Sequence, residues 1–181
     1  MVFSKRLIVL VAFFVVCANA EAVDFPVGVL DLTVVQAESV AMNSIKSQAD
    51  KLRQKYQEEV ANLEDQLRND YADLAKSSHF NKSNTPNSED KLEKKYKDLY
   101  AITRSLKHQW ETSVGDANKK FHKRVTEVVK KIAESKGLVM VVNKDALVFS
   151  KKEIDITKEV VVTLNKEMPY IAVVPVAAVA E

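Results

Sequence analysis

Residues 45–74 read IKSQADKLRQKYQEEVANLEDQLRNDYADL. Apolar or aromatic side chains fall at Ile45, Ala49, Leu52, Tyr56, Val60, Leu63, Leu67, Tyr71 and Leu74, in steps of four and three. That spacing is one face of an α-helix. The pattern also repeats every eleven residues, in Ile45/Tyr56/Leu67, Ala49/Val60/Tyr71 and Leu52/Leu63/Leu74. A second stretch shows the same period in Leu99/Trp110/Phe121/Ile132, Leu106/Ala117/Val128 and Thr103/Val114/Val125. Eleven residues in three turns is about 3.67 per turn, which keeps two paired helices nearly straight or slightly right-handed. The two stripes predict an antiparallel hairpin.

Glycine and proline are almost absent from residues 42–136, and the polar segment at 76–90 is the natural turn. There Thr85 is placed to act as N-cap, with Pro86 at the first helical position and Glu89 and Asp90 at the positive end of the dipole. Gly137 should stop the second helix, because glycine readily takes the left-handed conformation that ends helices. The helices would span about 37 and 50 residues, roughly 55 and 75 Å at 1.5 Å per residue. Pairs at i, i+4, namely Glu64/Arg68, Asp90/Lys94, Glu93/Lys97, Asp116/Lys120 and Glu127/Lys131, would add about 0.2–0.5 kcal/mol each. Gly115 in mid-helix marks either a flexing point or a tolerated cost of about 1 kcal/mol.

The rest of the chain reads as a split body, residues 21–41 and 137–181, flanking an arm at 42–136. PVGVLDL (26–32) is a strand candidate that leads through Asp31 or Thr33 as N-cap into a short helix, TVVQAESVA. GLVMVV (137–142), a polar turn at 143–145 and LVFS (147–150) read as two strands in a hairpin. IDITKEVVVTLNKEM then gives a helix capped by Asp155 or Thr157. The apolar tail PYIAVVPVAAVAE, broken by Pro175, fits either an edge strand or a linker. The fold class is therefore mainly α with a small β body, the arm projecting from it. Three short strands, apolar on both faces, can hardly cover themselves, and cores this small usually need oligomerisation, metal or disulfides.

The N-terminus differs from all of this. Lys5 and Arg6 precede the apolar run LIVLVAFFVVC (7–17) and then Ala18-Asn19-Ala20, the form of a signal peptide cleaved after Ala20. About twelve apolar residues are too few for the roughly 20 of a membrane-crossing helix. The single cysteine, Cys17, leaves with that segment, so residues 21–181 would form an exported protein without disulfides.

With 27 Lys plus Arg against 25 Asp plus Glu, the net charge of +2 gives nucleic-acid binding no support. Its distribution is uneven: in residues 42–136, 20 basic against 15 acidic side chains leave +5, while residues 21–41 carry −4 and residues 137–181 carry −1. Lys91, Lys94, Lys95 and Lys97 gather near the tip, and Lys119, Lys120, Lys123 and Arg124 form a second group. An enzyme is not expected. His79, His108 and His122 lack companion ligands at metal spacing, and no phosphate loop or nucleophile elbow is present. No catalytic residue, metal site or cofactor is assigned.

The order signal peptide, short strand, long helical hairpin, terminal strand-strand-helix unit resembles the Skp/OmpH family of periplasmic chaperones. The traces that carry it are VGVLDLTVVQAES and VTEVVKKIAESKGLVMVVNKDALVFSKKEIDITKEVVVTLNK (125–166). The resemblance implies a homotrimer in which short strands from three chains form a small barrel. The hairpins would hang from it around a cavity that holds unfolded outer-membrane β-barrel proteins without ATP, in the periplasm. It also implies lipopolysaccharide or an anionic membrane surface as a further partner, with no contact residues carried over. On this reading Val27, Val29, Leu30, Leu138, Met140, Val142, Leu147 and Phe149 are the oligomerisation strands. The eight basic residues above, with Phe80, Tyr96 and Tyr100, are the candidate client contacts. Taken one at a time, the same lysines suit a solvated helix face and the same aromatics a hairpin seam. The alternative function is a structural coiled-coil adaptor or spacer of the cell envelope.

Overall fold

The computed structural model describes residues 26–78 and 85–176, with side chains over 26–76 and 90–176. The signal segment and Phe80 lie outside the described residues. In chain order come β1 (Val27–Leu30), α1 (Leu32–Glu38), α2 (Val40–Ser78), α3 (Thr85–Lys136), β2 (Met140–Asn143), the 3-10 turns Lys144–Ala146 and Lys152–Ile154, and α4 (Thr157–Glu167). The protein is mainly helical with a small sheet.

Local chemistry sets the boundaries. Asp31 caps α1, its Oδ1 accepting the Val34 N–H at 3.0 Å. Ser39, fully buried, both ends α1 and starts α2: its N–H donates to Val35 O at 3.1 Å and its Oγ accepts the Met42 N–H at 3.4 Å. The single short helix expected to run through Ala41 is therefore split, and the long helix begins at Val40 rather than Met42. Gly137 ends α3 at φ 64°. There Leu138 N–H reaches Ala133 O at 2.8 Å and Gly137 N–H reaches Glu134 O at 3.3 Å, satisfying two carbonyls that the helix would otherwise leave open.

At 39 and 52 residues, α2 and α3 are about 58 and 78 Å long. Trp110 Nε1 donates to Ala49 O at 2.9 Å, Tyr56 Oη to Gln109 Oε1 at 3.4 Å, and Lys95 pairs with Asp70. Partner numbers thus fall along α3 as they rise along α2. Burial thins towards the far end, although Leu67 and Leu106 stay buried. Ile45, Ala49, Phe121 and Val128 are buried, Leu52, Tyr56 and Val60 half-buried, and Tyr71 and Thr103, assigned to the seam from sequence, are exposed.

The sheet corrects the sequence reading. It has two strands, β1 and β2, and they run parallel with Val27 opposite Met140 and Leu30 opposite Asn143. Parallel neighbours need a long crossover, which here is α1, α2 and α3 together. Leu147–Ser150 forms no strand. The chain passes over the end of β1 instead of turning back along β2, and Lys144 Nζ there lies 3.6 Å from both Asp31 Oδ2 and Asp155 Oδ2. The far side of β1 is taken by a single bridge, Val29 to Asp155, with Ile156 N–H donating to Val29 O at 2.9 Å.

The core also crosses the expected division between body and arm. Val35 of α1, Phe121, Val125 and Val128 of α3, and Val160 and Leu164 of α4 form one buried cluster with Met42 and Ile45 of α2. Glu167, near the end of α4, clamps this root by pairing with Arg124 at 2.7 Å and Lys131 at 2.9 Å. The hydrogen bond from Lys131 is the main cause holding the Glu167 carboxyl below its ordinary range, against a smaller desolvation effect. Residues 169–176 form neither an edge strand nor a free linker. They cross α2 and α3, with Ile171 buried.

Candidate functional site

The described structure offers three regions with functional potential: the outer half of the helix pair, a groove between the helices, and the exposed apolar side chains of the body.

On the outer half, α3 carries Lys91, Lys94, Lys95, Tyr96, Lys97 and Tyr100, all exposed. The two tyrosines are one turn apart, 53% and 74% exposed, so both rings stand in solvent. Lys95 is tied to Asp70 and Lys97 to Glu93 at 2.6 Å. That hydrogen bond, with the opposite charge, pushes Lys97 up and holds the Glu93 carboxyl down. Lys91 and Lys94 have no ion-pair partner among the described residues.

The second basic group is divided. Lys119 pairs with Asp116 at 3.1 Å, and Arg124 reaches both Glu127 and Glu167 at 2.7 Å. Lys120 and Lys123 are exposed and carry no ion pair among the described residues. Arg124 is thus occupied in holding α4 against α3. Of the five i, i+4 pairs expected from sequence, Glu93/Lys97 forms. Asp90/Lys94 does not form, and the other three lose to i, i+3 partners or, for Lys131, to Glu167.

Midway along the pair the helices leave a groove of about 490 Å³. Tyr56, Val60, Leu106 and Trp110 line it, with Arg53 and Glu111 at its rim. Burial, then the nearby Glu59 charge, push the Tyr56 hydroxyl up, so it stays protonated. Sequence reasoning placed these residues in the seam. The groove arises because the seam is incompletely filled there, which periodicity does not reveal.

On the body, Val139, Met140, Val148 and Phe149 are exposed, Val148 completely and Phe149 at 79%. Of the residues expected to join chains, Val29 and Leu30 are buried within this one, and Val27, Leu138, Val142 and Leu147 are half-buried. Met140 and Phe149 point outward. Asn143, beside them at the end of β2, has a buried Oδ1 without a hydrogen-bond partner.

The sequence matches the family model described as outer membrane protein (OmpH-like) over residues 26–164. The chain belongs to the OmpH-like family. A crystal structure from Caulobacter crescentus CB15, described as a candidate outer membrane chaperone (OmpH-like), superposes with a TM-score of 0.76. The two share 14% identity over 81% of this chain and 88% of that one, so the likeness is one of fold. No curated protein matches the sequence. The OmpH-like match ends within α4, so the segment 169–176 that crosses the helices lies beyond it.

Among the described residues no group of three or more His, Cys, Asp or Glu is placed to hold a metal. No described helix is long and apolar enough to cross a membrane.

Proposed function

We propose that this OmpH-like chain is an ATP-independent holdase of the periplasm, exported by a signal peptide cleaved after Ala20. Three copies join through their bodies into a small barrel. Their antiparallel helical hairpins enclose a cavity that shields unfolded outer-membrane β-barrel proteins. The observation that carries this reading is the set of exposed apolar side chains on the body, Val139, Met140, Val148 and Phe149, in a family member whose long helices pack against each other along their outer halves. Folded monomers rarely leave several large apolar side chains open, and in a closed ring of three each is covered by a different surface of the neighbouring copy.

Client contacts are weak and numerous on this reading. Lys91, Lys94, Lys120 and Lys123, free of intramolecular partners among the described residues, steer acidic or membrane-bound clients. The exposed rings of Tyr96 and Tyr100 supply apolar contact. Lys95, Lys97 and Lys119 contribute less because their charges are already paired, and Arg124 belongs to the body. The same unpaired lysines are the residues available to lipopolysaccharide or an anionic membrane surface. No step in this activity needs a catalytic residue or cofactor.

The test is aggregation of a urea-unfolded outer-membrane β-barrel protein on dilution. A stoichiometric amount of the mature protein suppresses it without nucleotide, and capture slows as salt rises, because screening shortens the reach of the basic helices. An envelope spacer would leave aggregation unchanged and bind a folded partner instead.

A further inference from the structure

The segment Pro169–Val176 places Ile171 in the buried core cluster, with Val173 packed against it, while most of its polar contacts go to backbone groups. The Gln48 amide Nε2 donates to Ile171 O at 2.8 Å, while its Oε1 accepts the Val173 N–H at 3.0 Å. A parallel neighbouring strand bonds the C=O of residue i and the N–H of residue i+2 through the N–H and C=O of one of its own residues, and the Gln48 amide offers the same donor and acceptor from its side chain. On α3, Ser113 Oγ accepts the Val176 N–H at 3.1 Å. Ser113 is almost fully buried, and its hydroxyl donates to Gln109 O at 2.6 Å, which aims its lone pairs at the crossing segment. Side chains alternate along the segment: Ile171 is buried, Ala172 exposed, Val173 half-buried and Val174 exposed. Just one side-chain hydrogen bond, from Tyr170 Oη to Gln48 Oε1 at 3.0 Å, identifies the occupant by residue type.

We propose that Gln48, Ser113 and the apolar slot taken by Ile171 and Val173 form a binding site for an extended polypeptide with apolar residues at i and i+2. The chain's own tail is a tethered occupant that an unfolded client displaces. The site asks little of sequence, because two of its polar residues bind main-chain groups and its slot needs only two apolar side chains at alternate positions. Those requirements are met by many segments of an unfolded chain. This proposal rests on the holdase reading for the identity of the client, but not for the existence of the site.

The test uses the full chain carrying Ile171→Asp and Val173→Asp, which evicts the tail and leaves Gln48 and Ser113 in place. A fluorescent peptide with the sequence PYIAVVPV binds this variant saturably. It binds at least tenfold more weakly when Gln48→Ala is added, and at least tenfold more weakly to the native chain, where the site is filled. A variant with native helix content that ignores the peptide, or binding indifferent to Gln48, overturns the proposal. Should the double aspartate not fold, hydrogen exchange of the native chain decides. The Val173 and Val176 amides exchange by local opening, faster than the amide of Leu164. One common rate for all three would make the tail a permanent part of the core and end the idea. A native chain that fails to suppress client aggregation counts against the holdase reading alone. Clients held normally with no peptide bound count against this site alone.

Discussion

The hydroxyl of Thr157 accepts the backbone N–H of Asp31 at 2.8 Å, joining the first turn of α4 to the end of β1 across 126 positions of sequence. Thr157 is buried, so water cannot replace it. Thr157→Val keeps the shape and strands a donor. We expect a loss of about 1–3 kcal/mol in urea unfolding with an unchanged slope. A loss within error would show that the Asp31 N–H finds another acceptor.

Asp155 ties the same corner. Burial pushes its carboxyl up, but hydrogen bonds from the Thr157 side chain and N–H, and the Lys144 charge, together outweigh it and hold the group below the ordinary carboxylate value. A group depressed in the folded state stabilises above its unfolded pKa, about 3.9 for aspartate, and that contribution is lost as pH falls through the lower folded value. The native chain should therefore lose stability on acidification below about pH 4, and Asp155→Asn should show a shallower fall. Thermal melts of both proteins from neutral to acid pH check this; parallel curves would remove Asp155 from the account.

Phe121 and Tyr100, two aromatics on one helix, should respond in opposite ways. Phe121 has no exposure, and Phe121→Ala should cost about 3–5 kcal/mol. Tyr100→Ser changes a ring that is mostly in solvent and should stay within about 0.5 kcal/mol of native while weakening client capture. Equilibrium unfolding beside the aggregation assay separates the two effects, and unchanged capture would remove Tyr100 from the contact surface.

A Cβ added at Gly115 meets nothing within 4 Å. Gly115→Ala should therefore stabilise the chain by about 1 kcal/mol, through helix propensity and a less flexible unfolded state. A destabilised variant would show that the helix bends at this point and needs the glycine to do so.

Phe149 stands at the edge of the body with most of its ring exposed. In light scattering the mature protein should have a trimer's mass, and Phe149→Glu should shift it towards monomer with its helix content retained. A native protein that is monomeric at micromolar concentration would remove the cavity.

The two kinds of helical information differed in how far they could be read. Some stops and starts were local: Gly137 takes the positive φ that its position after Lys136 implied, and of Asp31 and Thr33 it is Asp31 that caps α1. Others were not: Ser39 splits the helix expected through Ala41, and the N-cap of α4 is Ile156, without a side-chain cap, rather than Asp155 or Thr157. Partner choice was not local either. Leu147–Ser150 has a strand's composition, yet the chain passes over the end of β1, where Lys144 meets Asp31 and Asp155, and the place beside β1 goes to Asp155. Arg124 looked like one more cation of a basic face until Glu167 arrived beside it. Ser113 gave a faint signal, a polar residue within an apolar stripe between Trp110 and Ala117, but nothing near it in sequence named Val176 as its partner.

By itself the sequence determined two long helices, most of their shared seam and the point where the second ends. Helical hydrogen bonds join residues four apart, and the apolar period records which side is buried. The tertiary structure alone decided that β1 and β2 pair in parallel, that Leu147–Ser150 stays unpaired, and that the tail crosses α2 and α3 on Gln48 and Ser113. Those outcomes depend on which groups, far apart in the chain, compete for the same hydrogen bonds and the same buried space. Composition cannot rank such competitors before the helices have brought them together.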